Sequence, residues 1–444
     1  MSLARALAVL ILLIILFGAC IYSFHQIDVK MAKLMGKPVE EKPIIDYNLA
    51  YNILWIASIM IAIVVTPIAL VTILLRRKRI LGVIRVQDLQ KHILIFGPTG
   101  SGKTSTALSI IEKALKKNIN IDVLDWKGEY TDKARGANII RKINLLEPPD
   151  WSQTHNHTLV VVDILRDVLD LSEPMAYMLY EELSKMYEDH VASFRKLMEQ
   201  LRYRRAAAIA QYSRAEANIA EALIRRILPL VLDESRQTVD LKGDSRITIY
   251  DLSELPTYQL KTLYSEIILW RLYNEAVKER SHTLRKLIVM EECQNYVRPR
   301  RSEMPPSIGE RIVNELRAYG YGAILISPDP HQIPIHMPRD AGAVVSIGYQ
   351  ALPEIVSELL NVYRYADVRR LLKTTSKPRT YIYYNGRLYI KSVPKPYRRI
   401  IDLGFEATPI LHEAEKTEAE EKPKILKVEE EKVEEGPSSG AIQA

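Results

Sequence analysis

Two stretches of this chain are apolar from end to end, and beyond them short apolar runs alternate with longer amphipathic segments. Residues 6–24 (ALAVLILLIILFGACIYSF) and 49–75 (LAYNILWIASIMIAIVVTPIALVTILL) carry no charge. A helix needs ~20 apolar residues to cross the hydrocarbon core, and both stretches suffice. Pro67 within the second is tolerated in lipid, where neighbouring groups satisfy the freed carbonyl. The first stretch also suits the apolar region of a cleaved signal, with Cys20 behind Phe-Gly-Ala. Small residues at a cut are scarce, which favours a retained helix.

From Lys91 the pattern changes to strand-like and helix-like pieces in turn. His92–Phe96 is a short apolar run ending in a glycine-rich loop, Thr104–Lys117 is helix-like, and Ile119–Asp125 is again strand-like. Leu159–Asp163 is a continuous apolar run, expected as a strand buried on both faces. From about Glu173 to Leu232 no strand-like run occurs, which predicts a helical insertion of ~60 residues bundled over the sheet edge. Strand character returns at Arg246–Leu252, Lys286–Met290, Gly322–Ser327 and Ala343–Gly348. A hairpin is predicted from Thr380–Tyr384 and Arg387–Ser392 around Asn385-Gly386, a two-residue turn signal. Such alternation predicts an α/β fold with a parallel sheet covered on both faces.

Charge sets the orientation and the limits of the domain. Arg76, Arg77, Lys78 and Arg79 abut the second apolar stretch, whereas the lysines of the loop 25–48 are interspersed with Asp28, Glu40, Glu41 and Asp46. Basic clusters stay in the cytoplasm, so the loop is expected outside, with both the N-terminus and the large C-terminal part inside. The organisation expected is a membrane helix within 1–24, an external loop 25–48, a second membrane helix 49–75 and a basic linker 76–90. The main domain then spans 91–405, and an acidic tail spans 406–444. From Glu413 onward ten glutamates face five lysines, so of the net +7 the rest of the chain carries +12. A basic body suits polyanions or anionic lipid as partners, and the tail has too little to bury to fold alone. The two cysteines, Cys20 and Cys293, exclude a disulfide framework or a cysteine zinc site within one chain. Cys293 follows an apolar run and reads as a small buried hydrophobe.

Candidate chemistry begins at Gly97-Pro98-Thr99-Gly100-Ser101-Gly102-Lys103-Thr104, which fits G-x-x-x-x-G-K-[ST]. The glycines let successive backbone N–H groups cradle phosphate oxygens of ATP. Lys103 supplies charge to the β/γ-phosphates, and the Thr104 hydroxyl ligates Mg²⁺. The run lies between an apolar strand and a helical segment, the context this mechanism demands. Lys286–Met290 ends in Glu291-Glu292. Glu291 is expected to hold Mg²⁺ and Glu292 to orient and deprotonate the attacking water. Adjacent carboxylates on a strand point to opposite faces unless the strand ends there and turns.

Over Lys91 to Pro394 these motifs resemble the HerA/FtsK superfamily of nucleic-acid-pumping ATPases. The resemblance rests on GPTGSGKT, on Asp125-Trp-Lys-Gly-Glu-Tyr130, on Ile249-Tyr-Asp-Leu-Ser253, on Glu291-Glu-Cys-Gln-Asn295, and on Leu316-Arg-Ala-Tyr-Gly320 followed by AILIS. It implies a RecA-like P-loop ATPase domain with an all-helical insertion, working as a homo-oligomeric, hexameric ring on DNA. It also implies that Arg317 is an arginine finger reaching a neighbour's γ-phosphate, with Arg311 as the substitute. The chain departs from the pattern at Ser327-Pro-Asp-Pro330, where a polar sensor glutamine is usual. Ser327 or Gln332 is the candidate replacement. A HerA-type N-terminal β-barrel is absent too, and the layout of two apolar stretches and a linker resembles conjugative coupling ATPases.

Two basic regions are candidate DNA contacts. Residues 195–226 carry Arg195, Lys196, Arg202, Arg204, Arg205, Arg214, Arg225 and Arg226, interleaved with Tyr203 and Tyr212, against Glu199, Glu216 and Glu221. Such a face suits a phosphate backbone with bases stacked on tyrosines, and it equally suits an ordinary solvated helix. Arg298-Pro-Arg300-Arg301 is a basic loop that would line the pore of a ring. The expected function is a cell-membrane DNA translocase working with a polytopic channel protein. An ATPase powering protein secretion or pilus assembly is the alternative, and a non-hydrolysing nucleotide switch is opposed by the complete carboxylate pair.

Overall fold

The computed structural model describes residues 79–299, 306–360, 376–404 and 407–412, with isolated positions between 23 and 55. Apart from Ser23, Asn52 and Trp55, the apolar stretches 6–24 and 49–75 lie outside the described residues, as do the loop residues Arg300 and Arg301 and the tail from Glu413. Among the described residues no helix is long and apolar enough to cross a membrane.

The chain begins with β1 (Ile93–Phe96), α1 (Lys103–Leu115), β2 (Asn120–Asp125) and the short strands β3 (Ala134–Arg135) and β4 (Asn138–Ile140). Four helices follow: α2 (Thr154–Leu169), α3 (Glu173–Glu188), α4 (Phe194–Ala210) and α5 (Arg214–Glu234). Then come β5 (Thr238–Lys242), β6 (Ile247–Asp251), α6 (Tyr258–Lys278) and β7 (Lys286–Met290). The rest is α7 (Ile308–Glu315), β8 (Tyr321–Ser327), α8 (Met337–Asp340), β9 (Ala343–Tyr349), α9 (Glu354–Leu360), β10 (Arg379–Tyr384), β11 (Arg387–Ser392), β12 (Ile401–Asp402) and β13 (Thr408–His412).

The main sheet runs β11-β10-β9-β1-β8-β7-β2-β6-β4-β5-β13. Its centre, β9 to β4, is parallel, and antiparallel strands close both edges. Alternation along β1 explains why every residue there is apolar. Ile93 and Ile95 face one core with Ile110 and Ile111 of α1, while Leu94 and Phe96 face the other with Leu263 and Ile267 of α6. A strand buried on both faces has no polar side to show. The hairpin turn has Asn385 at φ 49° and Gly386 at φ 70°, the doubly positive geometry of a tight two-residue turn.

Three expectations are corrected here. Leu159–Asp163 is not a strand but the middle of α2, which buries Val161, Ile164, Leu165 and Val168 and leaves Leu159 exposed. A short apolar run cannot be assigned by itself, and the i, i+3, i+4, i+7 spacing extending to Val168 decides it. The helical layer accordingly starts at Thr154, not near Glu173, and ends at Glu234. Its helix α5 contains Pro229, which costs ~3 kcal/mol in a helix interior. Burial of Leu223, Ile227 and Leu230 on either side outweighs this at ~1.5–3 kcal/mol each. Finally, the domain extends past residue 405, because β13 adds an edge strand antiparallel to β5.

Candidate functional site

The phosphate loop leaves the C-terminal end of β1, at the sheet centre between β8 and β9. Gly97 allows the tight turn there: a Cβ would lie 2.5 Å from the Ile347 carbonyl oxygen and 2.5 Å from Ser101 Oγ. Gly102, at φ 98°, closes the loop as the residue preceding α1. Lys103 Nζ donates to the carbonyls of Gly97 (2.8 Å) and Pro98 (3.2 Å), so its cation sits inside the loop it serves. Burial lowers the Lys103 pKa, with Glu292 opposing. Pro98, Thr99 and Gly100 are exposed along the rim, where a phosphate would arrive.

β7 lies two strands from β1 and delivers both carboxylates to this loop. The strand ends at Met290, and Glu292 takes a left-handed conformation at φ 47°. That turn brings both side chains to one place, as Lys103 interacts with Glu291 and Glu292 alike. Glu291 is 3% exposed. The Thr104 hydroxyl donates to its Oε1 at 3.5 Å, while its Oε2 is buried with no hydrogen-bond partner. Burial pushes the Glu291 carboxyl up to about 8, reinforced by Asp125 and Glu129. The Tyr296 hydroxyl donates to the Glu291 carbonyl at 2.9 Å and fixes the backbone at this point.

An orphaned, buried carboxylate oxygen beside a threonine hydroxyl fits a hard divalent cation completed by phosphate and water. Among the described residues no cluster of three or more His, Cys, Asp or Glu offers an all-protein cage. Thr104 and Glu291 therefore suit Mg²⁺ carried in with a nucleotide.

Glu292 is held differently. Its Oε1 accepts from Lys127 Nζ in a close ion pair, and its Oε2 accepts from Gln294 Nε2 at 2.7 Å. Burial raises its pKa, but these two donors override that and leave it below the usual carboxylate value. Lys127 stands in a loop organised by the buried Asp125. That carboxylate accepts backbone N–H bonds from Gly128 (2.8 Å), Glu129 (3.1 Å), Tyr130 (2.9 Å) and Thr131 (3.2 Å). Trp126 stacks on Tyr296 at 5.9 Å, tying this loop to the one after β7. Sequence reasoning gave Lys127, Gln294 and Tyr296 no role. The signal was only that two motif loops follow strands that turn out to be neighbours.

Other predicted residues are not brought here. Arg317 is exposed in the turn entering the N-terminal end of β8, where its carbonyl accepts from Gln90 Nε2 at 2.9 Å. The length of β8, ~20 Å, separates it from the phosphate loop of its own chain. Arg311 lies 4.7 Å over the Tyr273 ring and 3.5 Å from Glu315. Ser327 is beside the site, paired in register with Phe96, but its hydroxyl donates to the Asp329 carbonyl at 2.9 Å. Gln332 is exposed.

In the helical layer, Arg204 is committed to three carboxylates: Glu181 (2.7 Å), Glu182 (2.9 Å) and Glu216 (2.8 Å). That corrects its reading as a free phosphate-binding cation, since its charge is already matched inside the layer. Arg205 pairs with Glu221 at 3.0 Å, while Arg202, Tyr203 and Tyr212 are exposed. Arg298 pairs with Asp167 at 2.9 Å.

Residues 74–272 match the family described as the central domain of the helicase HerA. No curated relative matches the chain. Among solved structures, VirB4 of Thermoanaerobacter pseudethanolicus is similar in fold, with a TM-score of 0.50 and 14% identity over 68% of this chain and 89% of that one. The bacterial conjugative coupling protein TrwBΔN70 matches with a TM-score of 0.48 and 10% identity, over 70% of this chain and 86% of that one. The genome packaging NTPase B204 from Sulfolobus turreted icosahedral virus 2 matches with a TM-score of 0.36 and 11% identity, over 69% of this chain and all of that one. The match over residues 74–272 and the geometry of the site fit an ATP-hydrolysing P-loop domain similar to the central domain of HerA.

Proposed function

We propose that this chain is a membrane-anchored ATPase that assembles as a hexameric ring and uses ATP hydrolysis to move DNA through a membrane channel. The observation that carries the reading is the approach of Glu291 and Glu292, just beyond the region 74–272 that matches the central domain of the helicase HerA, to Lys103 and Thr104 of the glycine loop within it. The loop amides and Lys103 bind the β/γ-phosphates, and Thr104 and Glu291 hold Mg²⁺. Glu292 orients a water and accepts its proton, and catalysis is then chiefly positioning and charge stabilisation. Arg317, remote from its own loop, acts on the site of an adjoining subunit. The two apolar stretches anchor the ring, and the basic linker keeps it on the cytoplasmic face. This layout resembles CedB, the membrane-anchored ATPase of crenarchaeal DNA import, and the Tyr, Ile and Lys/Arg richness suits a thermophilic archaeal source. A polytopic channel protein is the partner this layout calls for.

DNA binding is tested with the full chain in detergent micelles, carrying Glu292→Gln and saturated with ATP. Labelled single- and double-stranded DNA should bind at low salt, with affinity falling linearly on a log–log plot against salt. An assembled ring that binds neither at low salt would favour the protein-secretion alternative. Cysteines placed between His25 and Asn48 should react with impermeant thiol reagents from outside, and cysteines after Arg79 should not.

A further inference from the structure

We infer that Lys127 and Gln294 are the positioning residues of Glu292, a two-armed clamp that fixes the carboxylate for its work on water. The inference rests on the ATPase reading of the site and assigns a task to two residues that the motifs leave without one.

Glu292 has a backbone that a non-glycine residue rarely adopts, at φ 47°. Such a conformation costs ~1–3 kcal/mol and persists where surrounding structure over-determines it. Here that structure is visible on the side chain, because each carboxylate oxygen is held by a donor from a different segment. Gln294 comes from the turn just after β7. Lys127 comes from the loop after β2, which runs beside β7 with Leu124 in register with Met290. Parallel pairing thus sets Asp125 beside Glu291 and lets the two following loops meet.

The Lys127 arm is itself rigidly mounted. Four backbone N–H groups converge on Asp125. Gly128, at φ 80°, is so close to Ser253 that a Cβ would lie 3.2 Å from its hydroxyl. A carboxylate oxygen has two lone-pair sites, so one donor on each still leaves each able to accept from water. The clamp therefore orients the base without using it up.

The competing role is a plain tether that holds the 126–131 loop down. Steady-state ATP turnover by the full chain in detergent micelles separates the two. Lys127→Met should lower kcat by roughly 10- to 100-fold, the scale of misplacing a reacting group by about 1 Å, with KM for ATP changing less than about 3-fold. Lys127→Arg should restore most of the rate, and Gln294→Ala should give a smaller loss of the same kind. If Lys127→Met keeps kcat within about 2-fold of the parent, or loses thermal stability and ATP affinity in step with rate and is not rescued by arginine, the clamp is refuted. A parent chain without turnover would instead overturn the ATPase reading, and the clamp with it.

Discussion

Acidifying the medium from pH 8 to pH 6 should weaken Mg²⁺-dependent nucleotide binding through one carboxyl, that of Glu291. In the metal-free protein this group is buried among other acids, and its pKa is pushed from 4.5 up to about 8. The displacement corresponds to about 5 kcal/mol of disfavoured ionisation. A raised carboxyl pKa means the folded, metal-free protein retains a proton that the unfolded chain would release. Stability is therefore full below pH 4.5 and falls as pH rises through about 8. Mg²⁺ reverses this, because it binds the ionised form. At pH 7 about nine in ten copies of Glu291 are protonated, so loading the site should release ~0.9 proton from this residue. At pH 6 the displaced proton should cost ~3 kcal/mol, roughly 100-fold in apparent affinity relative to the plateau above pH 8. Calorimetric titration with Mg²⁺ and a non-hydrolysable ATP analogue, in buffers of different ionisation enthalpy, counts the protons. The Glu291→Gln variant, which cannot titrate, corrects for those of the nucleotide. Proton release at pH 7 identical in parent and variant, with parallel pH dependence of affinity, would refute the assignment of Glu291 to the metal.

Lys103→Ala should abolish turnover while leaving thermal stability close to the parent's, because its amine serves loop carbonyls and phosphate, not the apolar core; a measurable kcat would remove the site. Arg317→Ala should bind ATP normally yet lose ~10³–10⁵ in rate, the range of arginine fingers supplied in trans. Partial recovery on mixing with Lys103→Ala would mark action across an interface. Arg204→Ala should lower unfolding stability by about 1–3 kcal/mol in a denaturant titration, since it leaves the buried Glu182 with Lys185 as its remaining cation. Arg202→Ala with Arg205→Ala should instead spare stability and flatten the salt dependence of DNA binding.

Much of this arrangement was legible in the sequence where one physical signal dominates. The run at Lys286–Met290, apolar on both faces, marked β7, and the glycine loop was expected between a strand and a helix, where it lies between β1 and α1. What escaped depended on tertiary pairing. β4 is three residues long, and β13 carries Pro409, which reads as a strand breaker yet is tolerated on an edge. Leu159–Asp163 looked like a strand because its apolar neighbours on one helical face are spread to Val168 among charged residues. Lys127 is a half-exposed lysine in a loop, and nothing local marks it; only the β2–β7 pairing gives it a carboxylate to hold. Arg204 looked like one cation in a basic stripe until the packing of α3, α4 and α5 surrounded it with glutamates.

The central claim is that ATP hydrolysis at Lys103, Glu291 and Glu292 is coupled to DNA. It is tested most directly by the ATP turnover rate of the full chain, measured with and without DNA at low salt. The account predicts that DNA raises kcat in the parent, that the rise disappears with increasing salt, and that Lys103→Ala and Glu292→Gln show no turnover under either condition. Vigorous turnover that DNA leaves unchanged, at salt low enough for any phosphate contact to form, would contradict it.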